Sequence, residues 1–181
     1  MPWPDEHSQQ TRERIVVAAA AALREKGIDG VSIAEIMAEA GLTHGGFYAH
    51  FRSKEELVGA ALVHASSQTI ARLSKDPTLE AVIDTYLSAG HVAHPELGCP
   101  LAALGSELAR TGGKVRQGLT GRVDQRIEFV RGLLPDGEAT EETATAAVAC
   151  MLGGLLLARL VAPEKSDAVL EATRSLLHRA L

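Results

Sequence analysis

Between residues 43 and 54 the chain gathers side chains suited to contact with a nucleic-acid backbone. Thr43, Tyr48 and His50 offer neutral or switchable hydrogen-bond donors to phosphate oxygens. Tyr48 carries a hydroxyl that packing alone does not need, since Phe would fill the same space. His44 and Gly45 fall where a base-edge contact or a close major-groove approach is expected, and an imidazole can read a guanine. Lys54 lies in the first turn of a helix, where the dipole favours acids, so a phosphate opposite it would account for the cation. Ser32 and Ser53 each have a glutamate three residues on, Glu35 and Glu56, the spacing of a capping box. Ser32 completes the candidate DNA-binding set, while Phe47 and Phe51 read as core aromatics.

The elements that must position these groups are short. Ile33, Ile36 and Met37 recur at helical spacing among small alanines. Gly41 follows, where a helix end needs a residue that tolerates positive φ. Leu42 plugs the corner and Thr43 can cap a second helix over 43–50 through its hydroxyl. Gly45 and Gly46 each cost that helix roughly 1 kcal/mol relative to Ala, a cost that close approach to DNA would explain. This is the build of a helix-turn-helix, whose second helix enters the major groove.

Residues 11–62 resemble the DNA-binding domain of the tetracycline-repressor (TetR) family of bacterial regulators. The matches are a long first helix ending at Gly27, Val31-Ser32-Ile33, Ala40-Gly41-Leu42-Thr43, Gly46-Phe47-Tyr48, His50-Phe51 and Ser53-Lys54-Glu55-Glu56-Leu57. The resemblance implies an all-α fold. A three-helix helix-turn-helix DNA-binding domain, 1–56, would precede a helical ligand-binding and dimerisation domain, 57–181. It also implies that the last two helices, 143–160 and 168–181, pair with their symmetry mates in a homodimer.

Composition is compatible with this. The 181 residues suffice for a real core, and an aromatic content of 3% with abundant Ala and Leu favours close-packed helices. The net charge is −5, and residues 1–60 hold six Lys and Arg against nine acids, a net of −3. Such a balance argues against indiscriminate DNA binding; Arg12, Arg14, Arg52 and Lys54 instead form a local basic edge. No apolar run is expected to span a bilayer, and the N-terminus lacks a signal-peptide layout, so a cytoplasmic protein with two free thiols, Cys99 and Cys150, is expected.

Further along, the periodicity predicts helices over 9–26, 53–74, 78–89, 101–110, 114–134, 138–161 and 166–181, with the first ten residues frayed and 91–100 irregular. Val115, Leu119, Val123, Ile127, Val130 and Leu134 form one face. The helix 138–161 is apolar around most of its circumference, which a partner subunit would cover, and Ala147, Gly153 and Gly154 would permit close helix contact. Arg159, a charge close to the end of an apolar helix, is expected to snorkel or to pair across the dimer, with contact to an anionic ligand as the alternative. Candidate ligand-binding residues are Tyr86, His91, Leu104, Phe129, Met151 and Leu155, each of which suits the core equally. His91, His94 and Cys99 invite a zinc reading. Their spacing is not the i,i+4 of two helical ligands and no second cysteine or acidic pair lies nearby, so no metal and no cofactor is expected. There is no HExxH, GxSxG, CxxC or phosphate-binding glycine loop, and no enzyme is expected. The reading that follows is a ligand-responsive repressor that binds a palindromic DNA operator as a homodimer and is released by a small-molecule effector, with no membrane role. The rival is a helical protein-interaction module that does not bind DNA.

Overall fold

The computed structural model describes residues 3–110 and 113–181, and for 3–5 and 113–119 the backbone alone. Among the described residues it is built of helices and contains no strand. Helix α1 (Trp3–Lys26) leads into α2 (Ile33–Glu39), a 3₁₀ segment (His44–Ala49) and α3 (Lys54–Leu73). Two short helices follow, α4 (Leu79–Tyr86) and α5 (Ala89–Ala93), then a 3₁₀ turn over Pro95–Leu97. Helices α6 (Pro100–Arg110), α7 (Gly113–Arg131), α8 (Glu141–Leu160) and α9 (Pro163–Ala180) complete the chain.

Several boundaries differ from expectation. Helix α1 begins at Trp3 instead of fraying through residue ten, because proline at 4 falls in the first turn, where its missing N–H is not needed. The predicted helix 78–89 stops at Tyr86. Ser88 then caps α5 by accepting from the His91 N–H at 3.2 Å, so His91 is helical. Pro163 opens α9 as well as closing the gap after α8. Val115 and Leu119, expected on the packing face of α7, lie outside the described side chains; Val130 is buried on that face, and Leu134, expected in the same helix, is buried beyond its end at Arg131.

The buried side chains fall into two clusters. The first joins α1, α2, the 3₁₀ segment and the first three turns of α3, and takes in Leu104 and Leu108 of α6. The second joins the end of α3 and α4 to α7, α8 and α9 around Tyr86, Met151 and Leu155. Helix α3 contributes to both, so whatever displaces one end of it is felt at the other. Cys99 is buried and Cys150 half-buried, both as free thiols.

Helix α8 corrects two expectations. Its 20 residues, with a mean hydropathy of 1.7 over the most apolar window, are long and apolar enough by composition to cross a membrane. In the fold one face of it packs against α7 and α9, and 39% of that window is buried. Its Gly154 is spent inside the chain: a Cβ there would stand 2.6 Å from Cγ2 of Thr173 on α9. Gly153 meets nothing within 4 Å and is the glycine left facing outward.

The turn between α2 and the 3₁₀ segment closes as a Schellman motif. The Gly41 N–H donates to Ala38 O at 2.9 Å and the Leu42 N–H to Met37 O at 2.8 Å, with Gly41 at φ +68. Arg14 of α1 locks the same corner by donating to Ala40 O at 2.6 Å. A side chain at Gly41 is forced into the left-handed region, which costs roughly 1–2 kcal/mol. Gly41→Ala is therefore expected to lower the Tm of the protein by several degrees in a thermal melt; an unchanged Tm would show that the corner relaxes freely.

Candidate nucleic-acid interface and the polar interior behind it

The segment expected to be an α-helix over 43–50 is a 3₁₀ helix, His44–Ala49. Two consecutive glycines and an aromatic pair give it little α propensity, and its geometry follows from which side chains are anchored. Phe47 is fully buried, stacks on Phe51 at 5.8 Å between ring centroids and meets the Tyr48 ring edge-on at 5.2 Å. Arg12 of α1 lies over the Phe51 ring at 4.5 Å.

With Phe47 anchored, the other edge turns outward. Gly45 and Tyr48, three residues apart, share that edge as the 3₁₀ repeat requires. Tyr48 is 67% exposed, and nothing lies within 4 Å of where a Gly45 Cβ would be. His44 and Thr43 are exposed beside them, and His50 is half-buried at the end of the segment. Thr43 does not cap through its side chain, contrary to expectation, so its hydroxyl is left to solvent or a partner. Gly46 lies inward, with a Cβ position 3.7 Å from Met37. Thr43, His44, Gly45 and Tyr48 are thus brought together on one outward edge.

Ser32 and Lys54 behave differently. Ser32 is engaged in the full capping box of α2, its hydroxyl 2.7 Å from Glu35 Oε2. The second box is only half present: Ser53 accepts from the Glu56 N–H at 3.2 Å, but the Glu56 carboxylate reaches past it to the Arg52 N–H at 2.9 Å. The Lys54 ammonium turns inward. It donates to Ile28 O at 2.5 Å and Val31 O at 2.7 Å, clamping the α1–α2 connection. The cation at a helix N-terminus is explained by these two carbonyls, which sequence spacing could not show. Arg52 is the exposed cation beside the recognition edge whose guanidinium has no partner among the described residues. The Ile28 N–H is held in turn by Glu107 Oε2 of α6 at 2.8 Å, so the head is tied to the C-terminal half at the same connection.

Of the candidate ligand-binding residues, Tyr86, His91, Met151 and Leu155 are buried around the second cluster and Phe129 is partly buried against it. Leu104 belongs to the first cluster, with the head. Tyr86 and His91 meet edge-on at 4.7 Å. His91 is held at both nitrogens: Nδ1 is 2.7 Å from Tyr86 O, and Nε2 accepts from the Cys99 N–H at 2.9 Å. That pattern requires the neutral imidazole protonated on Nδ1. Burial, reinforced by Arg72, Arg159 and Arg126, lowers its pKa to about 4. Gly98 gives the ring its room, since a Cβ there would lie 2.7 Å from Nε2.

Four arginines that sequence reasoning did not assemble surround this group. Arg24 is buried and satisfied, donating to Ala20 O, Gly98 O and Gln68 Oε1; burial and Arg72 lower its pKa to about 10. Arg159 corrects the expectation of a partner across a dimer: it reaches inward to His91 O at 2.6 Å. Arg72 donates to Leu97 O at 2.8 Å. Arg126 of α7 is buried. The Tyr86 hydroxyl is buried beside the Cys99 thiol with no nitrogen or oxygen partner, and burial, with Cys99, raises its pKa well above the usual tyrosine value.

Residues 15–61 match the family model described as bacterial regulatory proteins, tetR family. The chain is 39% identical over 72 residues to the HTH-type transcriptional regulator TtgR of Pseudomonas putida, a match covering 39% of this chain and 34% of TtgR. Its fold superimposes on a TetR transcriptional regulator from Chloroflexus aurantiacus with a TM-score of 0.79 and 29% identity, covering 95% of this chain and 94% of that one. It also superimposes on AibR, solved with isovaleryl coenzyme A and operator DNA, with a TM-score of 0.64 and 19% identity over 92% of this chain and 97% of that one. The match to the curated relative thus spans about a third of that relative's length, and the likeness over the whole chain is one of fold. The helix-turn-helix head is that of the TetR family of bacterial regulatory proteins, and the chain as a whole has the fold of a TetR transcriptional regulator.

Proposed function

We propose that the protein is a DNA-binding transcriptional regulator of the cytoplasm, acting as a homodimer on a palindromic operator and released from it, as a repressor, by a small molecule. The observation that carries the reading is the outward edge of the 3₁₀ segment. Thr43, His44, Gly45 and Tyr48 face solvent there while Phe47 holds the segment to the core. Thr43, Tyr48 and His50 would contact phosphate or sugar, and His44 and Gly45 the base edges. Arg52 would add a phosphate contact. Ser32 and Lys54, given their internal bonds, would serve mainly by shaping the head.

A single such head is small and acidic, so affinity would come from engaging two half-sites about one helical turn apart. Leu156, Leu157 and Leu160 of α8 and Leu176 of α9 are exposed at 47%, 56%, 72% and 51%. An apolar patch at the junction of 143–160 and 168–181 suits a second copy of the chain. The effector would lie in the C-terminal half near Tyr86, His91, Phe129, Met151 and Leu155. Helix α3 would be the lever, because Lys54 at its start grips the α1–α2 connection and Arg72 near its end borders the polar interior. AibR, whose structure holds both an acyl coenzyme A and operator DNA, supports a fold of this kind serving both ligands.

Two substitutions test the two halves of the proposal. Tyr48→Ala is expected to weaken operator binding on the order of tenfold in fluorescence anisotropy, with an unchanged melt. Leu157→Glu is expected to give a monomer in sedimentation velocity and to lose high-affinity binding with it. Unchanged affinity in the first variant would remove the recognition edge from the account; an unchanged dimer in the second would remove the interface.

A further inference from the structure

Three guanidinium groups, Arg126 buried and Arg72 and Arg159 half-buried, meet in the C-terminal half, and none of them has a carboxylate partner among the described residues. Arg126 of α7 is 4% exposed, and its Nε and Nη1 are buried without a partner. Arg72 of α3 uses Nη1 on Leu97 O and leaves Nη2 buried and unpaired. Arg159 of α8 uses Nη2 on His91 O and leaves Nε buried and unpaired. The Tyr86 hydroxyl, from α4, is also buried, with the Cys99 thiol as its one polar neighbour and no nitrogen or oxygen partner. All three arginines act electrostatically on both Tyr86 and His91, or on one of them and on Cys99, so they share one locality.

The other charged groups named in their electrostatics have partners of their own. Arg24 is spent on Ala20 O, Gly98 O and Gln68. Glu96 is the carboxylate that acts on Arg159 and Arg24, and it bonds His94 at 3.0 Å on an exposed turn. Glu107 is turned to the Ile28 N–H. Residues 111–119, which border α7 in sequence, contain no Asp or Glu. Burying like charges together without a counter-ion is strongly unfavourable. A fold does not gather them for stability alone, and their delocalised, fork-shaped donors match a carboxylate or phosphate.

We propose that Arg126, Arg72 and Arg159, with the Tyr86 hydroxyl, form an anion-binding site that receives the acid group of a small amphipathic molecule. The apolar body of that molecule would lie against the side chains around Met151 and Leu155. The assignment rests on the ligand-responsive reading above and adds to it the chemical class of the effector. Its position explains how binding would be transmitted: closing on an anion draws Arg72, and with it α3, towards α7 and α8, and α3 begins at the Lys54 clamp on the head.

The test uses the intact protein, without DNA, and three probes that share an eight-carbon chain: octanoate, octyl phosphate and octanol. Thermal melts at saturating probe are expected to show a rise in Tm of roughly 5 °C with at least one acid and none with octanol. The better acid identifies the headgroup. Arg126→Met is expected to abolish the shift and, because it removes an unpaired buried charge, to melt no lower than the parent without ligand. Arg72→Met, on a different helix, is expected to weaken the same acid at least tenfold in calorimetry. A shift by octanol equal to that of the acids, no shift by either acid, or unaltered binding in both variants would overturn the site. The regulator reading is tested apart from it: operator binding can be present without an anion site, and an acid that binds through Arg126 without affecting operator affinity would leave the site standing and refute its role as effector site.

Discussion

Lys54→Met is expected to destabilise the DNA-binding head by roughly 2–3 kcal/mol. The ammonium donates to Ile28 O and Val31 O, both on the connection between α1 and α2. Methionine keeps the stem and removes the donors, so two carbonyls in a partly buried turn lose charge-assisted bonds, each worth about 1.5–3 kcal/mol, which partial access of water offsets in part. The Ile28 N–H remains on Glu107 and would hold the connection from one side only. Urea titration followed by far-UV circular dichroism should show a lower midpoint with an unchanged slope. DNA affinity should fall as well, but through the shape of the head. Unchanged stability together with a salt dependence reduced by about one unit would instead make Lys54 a phosphate contact.

Acidification is expected to unfold the C-terminal half from His91 outward. The folded imidazole titrates at about 4 against an ordinary 6.5, because burial and three arginines oppose its charge. The unfolded chain therefore binds the extra proton first. The stability this group contributes is complete above pH 6.5 and is lost as pH falls from there towards 4, up to about 3 kcal/mol. Protonation would also turn the acceptor at Nε2 into a donor facing the Cys99 N–H, breaking the bond that ties α5 to the start of α6. Glu35, Glu96 and Glu171 are held below the usual carboxylate range by hydrogen bonds, Glu35 by Ser32 and Glu171 by Arg174. Their contribution is present above about pH 4.5 and lost only below it, which separates the two windows. Denaturant titrations at pH 7.5, 6 and 5 should show a falling midpoint in the parent and a nearly flat one in His91→Asn. A flat parent would mean that His91 is not kept neutral.

The head was readable because its signals are local. A capping serine, a glycine at the helix end and a leucine at the corner lie within a few residues of one another, and each acts on its own turn. Ser32 and Gly41 fall where those rules put them. The same locality misled at Lys54, whose partners lie 23 and 26 residues away, and at Thr43, where a free hydroxyl reads like a capping one. Gly45 and Gly46 announced weak α propensity, but their cost was assigned to close approach to DNA, and the 3₁₀ geometry was not foreseen. In the C-terminal half the apolar periods gave the helices but not what they enclose. Arg72, Arg126 and Arg159 stand on three helices; the first two look in sequence like ordinary solvated charges, and Arg159 stands out only as a charge near the end of an apolar helix. Only the packing of α3, α7 and α8 turns them inward on Tyr86 and His91. Gly154 read as permitting a close helix contact, and the position of Thr173 shows that this contact is with α9 of the same chain.

The central claim is that the outward edge of the 3₁₀ segment reads DNA in a two-headed assembly. Selection of bound duplexes from a random pool at about physiological salt tests it most directly. The account predicts enrichment of a palindrome whose half-sites lie about one helical turn apart, lost in Tyr48→Ala and in the monomeric Leu157→Glu. No enrichment by a folded, dimeric protein would contradict it and would favour the protein-interaction module.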